Sequence, residues 1–173
     1  MHINFLYVAL AALIPMITGF IYYNPNVMGK AWMKASGMTD EKVKSGNMGI
    51  IFGASLLLSF LLAFILNMLV THQTDLFSIF AGTEGYQVEG SSATLAIQNI
   101  LETGGDNFRT FKHGSFHGVL ISLFLVFPIL ATNGLFERRP FKLTLINTLY
   151  WLITIALMGG FLCQFGFNDF TAL

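Results

Sequence analysis

Four long runs of apolar residues without a formal charge divide the chain, and polar segments separate them. The runs cover residues 5–23, 48–70, 114–135 and 143–165. A helix rises about 1.5 Å per residue, so about 20 apolar residues cross the roughly 30 Å hydrocarbon core of a bilayer. A soluble core helix is apolar along one face, whereas these runs are apolar on every face. The pattern predicts an all-α membrane protein with four transmembrane helices in a bundle, forming one domain over residues 1–173.

The connection between the second and third runs, residues 71–113, is the longest. Ser91 or Ser92 is a good N-cap for a short helix over residues 93–101, where apolar side chains recur on one side. Gly104-Gly105 would end that helix. We therefore expect a long outer loop that contains a short helix lying on the end of the bundle.

The charges of the three connections differ in sign and predict an orientation. Only 10% of the 173 residues are charged and the formal net charge is zero, which excludes a nucleic-acid surface because such a surface must be basic. Residues 24–47 carry four lysines against two acids, residues 71–113 two basic against five acidic residues, and residues 136–142 three basic residues against one acid. Because short basic loops stay in the cytoplasm, both termini and the long acidic loop are predicted to lie outside.

Aromatic, small and polar residues within the runs suggest how the helices sit and pack. Tyr and Trp favour the headgroup region, and small residues four apart let helices approach closely, within one bundle or between subunits. The expected interfacial anchors are Tyr22, Tyr23 and Trp32, and the two small-residue pairs are Gly49 with Gly53 and Gly114 with Gly118. Asn67 and Asn147 are expected to hydrogen-bond neighbouring helices or to contact a ligand. Pro15 and Pro128 predict kinks in their helices.

Two histidines at the start of the third run are the best candidates for chemistry. His113 and His117 are four residues apart and so share one helix face, a spacing that suits a metal ion or, with a partner helix, a haem. His2, His72, Glu102 and Asp106 fall at the same predicted membrane face, and His72 and Glu102 are possible contacts to a bound ligand or a partner protein. The alternatives are an interfacial preference of imidazole and a role in proton transfer. No cofactor is required by the sequence.

The same pair also yields a structural expectation. An imidazole facing hydrocarbon loses its water partners, so His113 and His117 are predicted to point into the bundle under the helix over residues 93–101. They would then hydrogen-bond acceptors of the loop, namely Glu102, Asp106 or the carbonyl groups after Gly105.

Several short segments resemble a known family. They are Tyr23-Asn24-Pro25, Gly29-Lys30-Ala31-Trp32-Met33, His117-Gly118, Asn133-Gly134-Leu135-Phe136-Glu137-Arg138-Arg139, Ile146-Asn147 and Met158-Gly159-Gly160. Together they resemble the bacterial integral membrane family known as domain of unknown function 1761. The resemblance spans nearly the whole chain. It implies a four-helix protein of the bacterial inner membrane and implies no activity.

Function is predicted mainly by exclusion. The chain has no phosphate-binding loop, no dinucleotide fingerprint and no nucleophile elbow, and no charge lies within a run. The leading hypothesis is a non-enzymatic accessory or scaffolding subunit that contacts lipid and another membrane protein or a second copy of itself. The alternatives are a small-molecule binding or transport protein, and a redox or metal-binding subunit that uses the histidines at the outer face.

Overall fold

The predicted helical architecture is confirmed. A computed structural model describes residues 2–168, and four of its helical segments are long and apolar enough to cross a membrane. We call them spans 1 to 4: Phe5–Tyr22, Met48–Leu69, Phe111–Phe136 and Phe141–Phe165. Span 1 consists of α1 (Phe5–Ala11) and α2 (Ile14–Tyr22), and span 2 is α5 (Met48–Leu69). Span 3 consists of α8 (Phe111–Ile121), a π-helical turn (Ser122–Val126) and α9 (Phe127–Phe136). Span 4 is α10 (Phe141–Phe165). The shorter helices are α3 (Gly29–Ser36), α4 (Asp40–Ser45), α6 (Gln73–Phe80) and α7 (Ser92–Gly104).

The prolines of spans 1 and 3 both coincide with irregular backbone. Span 1 is interrupted between α1 and α2, and Pro15 lies in the first turn of α2, where its missing N–H is tolerated. The Pro15 carbonyl accepts a hydrogen bond from the hydroxyl of Tyr150 at 2.9 Å. In span 3 the π-helical turn directly precedes Phe127-Pro128. Its wider turn relieves the clash of a proline ring with the carbonyl four residues earlier.

Spans 3 and 4 are in backbone contact through glycine. A Cβ atom on Gly114 would overlap the carbonyl oxygen of Gly159, and one on Gly118 would overlap the carbonyl oxygen of Ile155. Gly53, from the other small-residue pair, has no atom within 4 Å of its Cβ position among the described residues. One of the two predicted pairs therefore packs helices within the chain, and the other faces outward.

One end of the molecule carries residues 23–47 and 137–142, and we call it the basic end. There Tyr22 is buried and donates to the carbonyl of Ile146 at 2.9 Å, while the Tyr23 hydroxyl donates to Asn147 Oδ1 at 3.2 Å. The ring of Trp32 packs edge-on against Tyr23. Burial raises the pKa of Tyr23, which keeps this phenol a neutral donor. The tyrosines predicted as interfacial anchors thus join span 1 to span 4.

The opposite end carries the long connection, and we call it the histidine end. The predicted short helix is present as α7, capped by Ser91, whose side chain accepts from the Thr94 amide at 3.2 Å. A second helix, α6, precedes it and was not predicted. Buried Phe77, Ile97, Leu101 and Phe167 hold the two helices against the chain's C-terminal segment. Asn67 also lies fully buried towards this end and donates to the carbonyl of Gly166 at 3.1 Å.

Candidate metal site

Three histidine side chains meet at the histidine end. His113 and His117 lie in the first two turns of α8, and His72 directly follows span 2, just before α6. Thr110 starts α8 by accepting a hydrogen bond from the His113 amide at 3.2 Å. The turn that delivers His72 is fixed by Thr74, whose hydroxyl donates to the carbonyl groups of Met68 at 3.1 Å and Thr71 at 2.7 Å.

The packing of α8 determines where its two histidines point. Because Gly114 and Gly118 pack directly on the backbone of span 4, α8 has little freedom to rotate about its axis. His113 and His117 each precede one of these glycines and therefore project beside the contact line, towards the end of span 2. The histidine face is thereby positioned by the same glycine contact that packs the helices.

The imidazole nitrogens of the three residues converge. The Nε2 atoms of His72 and His113 are 2.9 Å apart, and those of His113 and His117 are 3.0 Å apart. One ring nitrogen from each histidine can act as a ligand atom, and these three nitrogens all lie within 4.8 Å of one another. His72 is exposed and the other two are half-buried, so the group borders water. The Phe108 ring covers His113 at a centroid distance of 4.9 Å.

The hydrogen bonding of this group favours a bound cation. A neutral imidazole has one N–H donor and one acceptor nitrogen, and the acceptor carries a single lone pair in the ring plane. Here the Nε2 atom of His113 is the neighbour of both other Nε2 atoms. A metal ion satisfies three converging lone pairs at once and leaves the protons on the Nδ1 atoms.

The spacing also suits a first-row transition metal. For tetrahedral coordination with metal–nitrogen distances of about 2.0–2.1 Å, neighbouring nitrogens lie about 3.3 Å apart. Two of the observed separations are 2.9 and 3.0 Å, so small rotations of the side chains suffice to reach that geometry. Three protein ligands leave one position for water or an outside ligand.

A cavity of about 410 Å³ adjoins the site. His72 lines it together with Thr71, Asp75 and Phe167. The Thr71 hydroxyl is buried and has no hydrogen-bond partner among the described residues. A ligand bound in this cavity would therefore lie beside His72.

The predicted hydrogen bonds from the histidines to the loop are wrong. Among residues 2–168, His113 bonds to both His72 and His117, while Glu102 is exposed and Asp106 lies 3.7 Å from Arg109. Gln73 holds the loop instead, because its side-chain Nε2 donates to the carbonyl groups of Gly105 and Asn107 at 2.7 and 3.0 Å. An amide nitrogen offers two donors, which suits the two free carbonyl groups after α7.

The remaining candidates lie apart from the histidines. Asn147 is at the basic end, bonded to Tyr23, and Asn67 is engaged with Gly166 between spans 2 and 4. His2 is exposed, and its carbonyl accepts a hydrogen bond from the Asn168 amide at 3.1 Å. His72 was expected at the same membrane face as His113 and His117, but its sequence position did not mark it as a metal ligand.

The comparisons with known proteins give one match. A family model described as a protein of unknown function (DUF1761) matches residues 6–163. Neither the curated proteins nor the solved structures give a match.

Proposed function

This chain belongs to the DUF1761 family, whose function is unknown, and we propose that it is a membrane protein that binds one transition-metal ion through His72, His113 and His117. The observation that carries the proposal is the convergence of three Nε2 atoms around His113. Four helices of membrane-spanning length hold this site at one end of the molecule. The proposed metal site would therefore lie where a spanning helix meets the aqueous phase.

The donor set supports a particular class of metal. Neutral imidazoles suit Zn²⁺, Cu²⁺, Ni²⁺ and Co²⁺, whereas Mg²⁺ and Ca²⁺ require oxygen ligands. The group of side chains that converges here contains no carboxylate and no thiolate. With three protein ligands and a free position, the site suits exchange of the ion or of its fourth ligand rather than a closed structural role.

Metal titration of the purified protein tests the proposal. In detergent, Co²⁺ is expected to give the visible d–d bands of a tetrahedral site and to be displaced by Zn²⁺, with one ion per chain. His2→Ala is the matched control, because it removes a histidine outside the site and should leave the spectrum unchanged. Absence of a tetrahedral Co²⁺ spectrum in wild type, or its persistence in His117→Ala, would contradict the proposed site.

Orientation of the site is a second expectation. We propose that the chain lies in the bacterial inner membrane with the basic end in the cytoplasm, because the charges of its connections favour it. In a Cys163→Ala background, a membrane-impermeant thiol reagent added from outside should label Glu89→Cys and leave Lys42→Cys unlabelled. Labelling of Lys42→Cys alone would reverse the proposed orientation and place the metal site in the cytoplasm.

An accessory or scaffolding role is the second candidate function. The outward-facing pair Gly49 and Gly53 favours it, because small residues in a span permit close approach of another helix. The two roles are compatible, since this pair lies near the basic end of span 2 and the histidines lie beyond its other end.

A further inference from the structure

A groove of about 700 Å³ runs between spans 1 and 2 on the side away from the metal site. Its lining is mostly apolar, and its few polar groups include the side chains of Ser55, Ser59 and Tyr150. The volume is within the range of pockets that hold drug-sized ligands, about 300–1,000 Å³. A groove of this size between two membrane-spanning helices is large enough for part of a lipid.

The groove follows from the way span 1 is built. Towards the histidine end, α1 packs tightly on span 2, with Val8, Ala11 and Ala12 buried beside Ala63 and Leu66. After the break that precedes Pro15, α2 instead packs on span 4 through the hydrogen bonds of Tyr22 and of Thr18, whose hydroxyl lies 2.8 Å from that of Thr154. Spans 1 and 2 therefore separate towards the basic end.

The groove has the length and direction of a lipid chain. Its lining residues on span 2 extend from Met48 to Leu62, a rise of about 21 Å at 1.5 Å per residue. One leaflet of the hydrocarbon core is about 15 Å deep, half of the roughly 30 Å total. The groove thus runs from the basic end past the depth of one leaflet. The rim residue Phe20 is 82% exposed, so the groove opens sideways to the bilayer.

Positive charge lies at the polar end of this groove. Val43 and Asn24 line that end, and Lys42 and Lys44 flank Val43 on α4, whose first turn also carries Asp40 and Glu41. Lys30 and Lys34 lie on the neighbouring α3, so that lysines exceed acids by two across these two helices. None of the four lysines forms an ion pair within residues 2–168, where the ion pairs are those of Arg109 and Arg139.

We propose that the groove holds one acyl chain of an anionic phospholipid, with the headgroup against the lysines of residues 30–44. The apolar lining of the groove accounts for the acyl chain, and the ammonium groups without an ion-pair partner account for the negative charge of the headgroup. This inference is independent of the metal site.

The two tryptophans of the chain allow a direct test. Trp151 lines the groove, and Trp32→Phe leaves it as the sole tryptophan. The variant is reconstituted in phosphatidylcholine vesicles containing a small fraction of acyl-brominated phosphatidylglycerol or of acyl-brominated phosphatidylcholine. Bromine quenches tryptophan on contact, so the quenching of Trp151 reports the lipid in the groove. We expect brominated phosphatidylglycerol to reach half-maximal quenching at a fraction at least about fivefold lower than brominated phosphatidylcholine does. About fivefold is the factor that one lysine near an anionic headgroup supplies.

Variants separate the groove from ordinary lipid contact. Ser55→Phe fills the groove and should remove the preference for phosphatidylglycerol, whereas Leu57→Phe on another face of span 2 should retain it. Lys42→Gln with Lys44→Gln changes exposed side chains only and should also reduce the preference.

Two results would overturn the proposal. Equal quenching by both lipids, unaffected by Ser55→Phe, would show only a non-selective lipid boundary. Protection of Trp151 from both lipids together with cross-linking of two chains through α2 would make a second copy the occupant.

Discussion

Replacing Gly118 with leucine is expected to destabilise the protein by about 3 kcal/mol or more, the upper range for an overpacked core. A side chain at this position would meet the carbonyl oxygen of Ile155 and, at 2.7 Å, the Cα of Ala156. These are backbone atoms of a long helix, so no rotamer change relieves the overlap. Leucine gains less than about 1 kcal/mol over glycine in helix propensity, which is too little to offset the separation of spans 3 and 4.

The measurement is the unfolding midpoint in a mild detergent, followed by circular dichroism and by titration with a denaturing detergent. Gly53→Leu is the matched control, because it is the same substitution at a position where no described atom outside the helix's own backbone lies within 4 Å of the new Cβ. It should leave the midpoint unchanged or raise it slightly. Equal losses in the two variants would show that glycine is required by the helices themselves rather than by their contact.

The spans could be predicted from the sequence because hydrophobic length is a local property. The function of each glycine pair could not. Gly49 and Gly53 have the same spacing as Gly114 and Gly118, and only the second pair meets a backbone. Gly114 of the second pair packs against Gly159 of span 4. A Cβ atom on Gly159 would lie 2.6 Å from the carbonyl oxygen of Gly114. Which helix faces which pair depends on three-dimensional packing that spacing does not encode.

The candidate site divides in the same way. His113 and His117 share a helix face by spacing alone, so their proximity was predictable. His72 is 41 residues from His113 along the chain, and its arrival depends on the path of the whole loop. Nearness in sequence suggested Glu102, Asp106 and the carbonyl groups after Gly105 as the partners of the histidines. The loop is instead held by the uncharged Gln73, which no motif marks but which is buried where two carbonyl groups are free.

Replacing His113 with alanine is expected to lower zinc affinity at least about 100-fold. Loss of a supporting hydrogen bond to a ligand costs about 10- to 100-fold, and His113 is the central ligand of the three. A ligand present at about 100 times its Kd stabilises the folded state by about 2.7 kcal/mol. At a zinc concentration that stabilises wild type by this amount, His113→Ala should therefore show almost no rise in its unfolding midpoint, while His2→Ala should respond as wild type does.

The unfolding midpoint of the metal-free protein distinguishes a metal ligand from a residue that only joins two spans. Without metal, His113→Ala loses only hydrogen bonds between side chains that border water, each contributing about 1 kcal/mol, and His72 and His117 can bond water instead. Its midpoint should fall slightly, far less than that of Gly118→Leu. If the metal-free midpoint falls strongly while the zinc response stays intact, the three histidines join the end of span 2 to span 3 and bind no ion. Only a metal site predicts that His113→Ala lowers the unfolding midpoint slightly without zinc and much more in its presence.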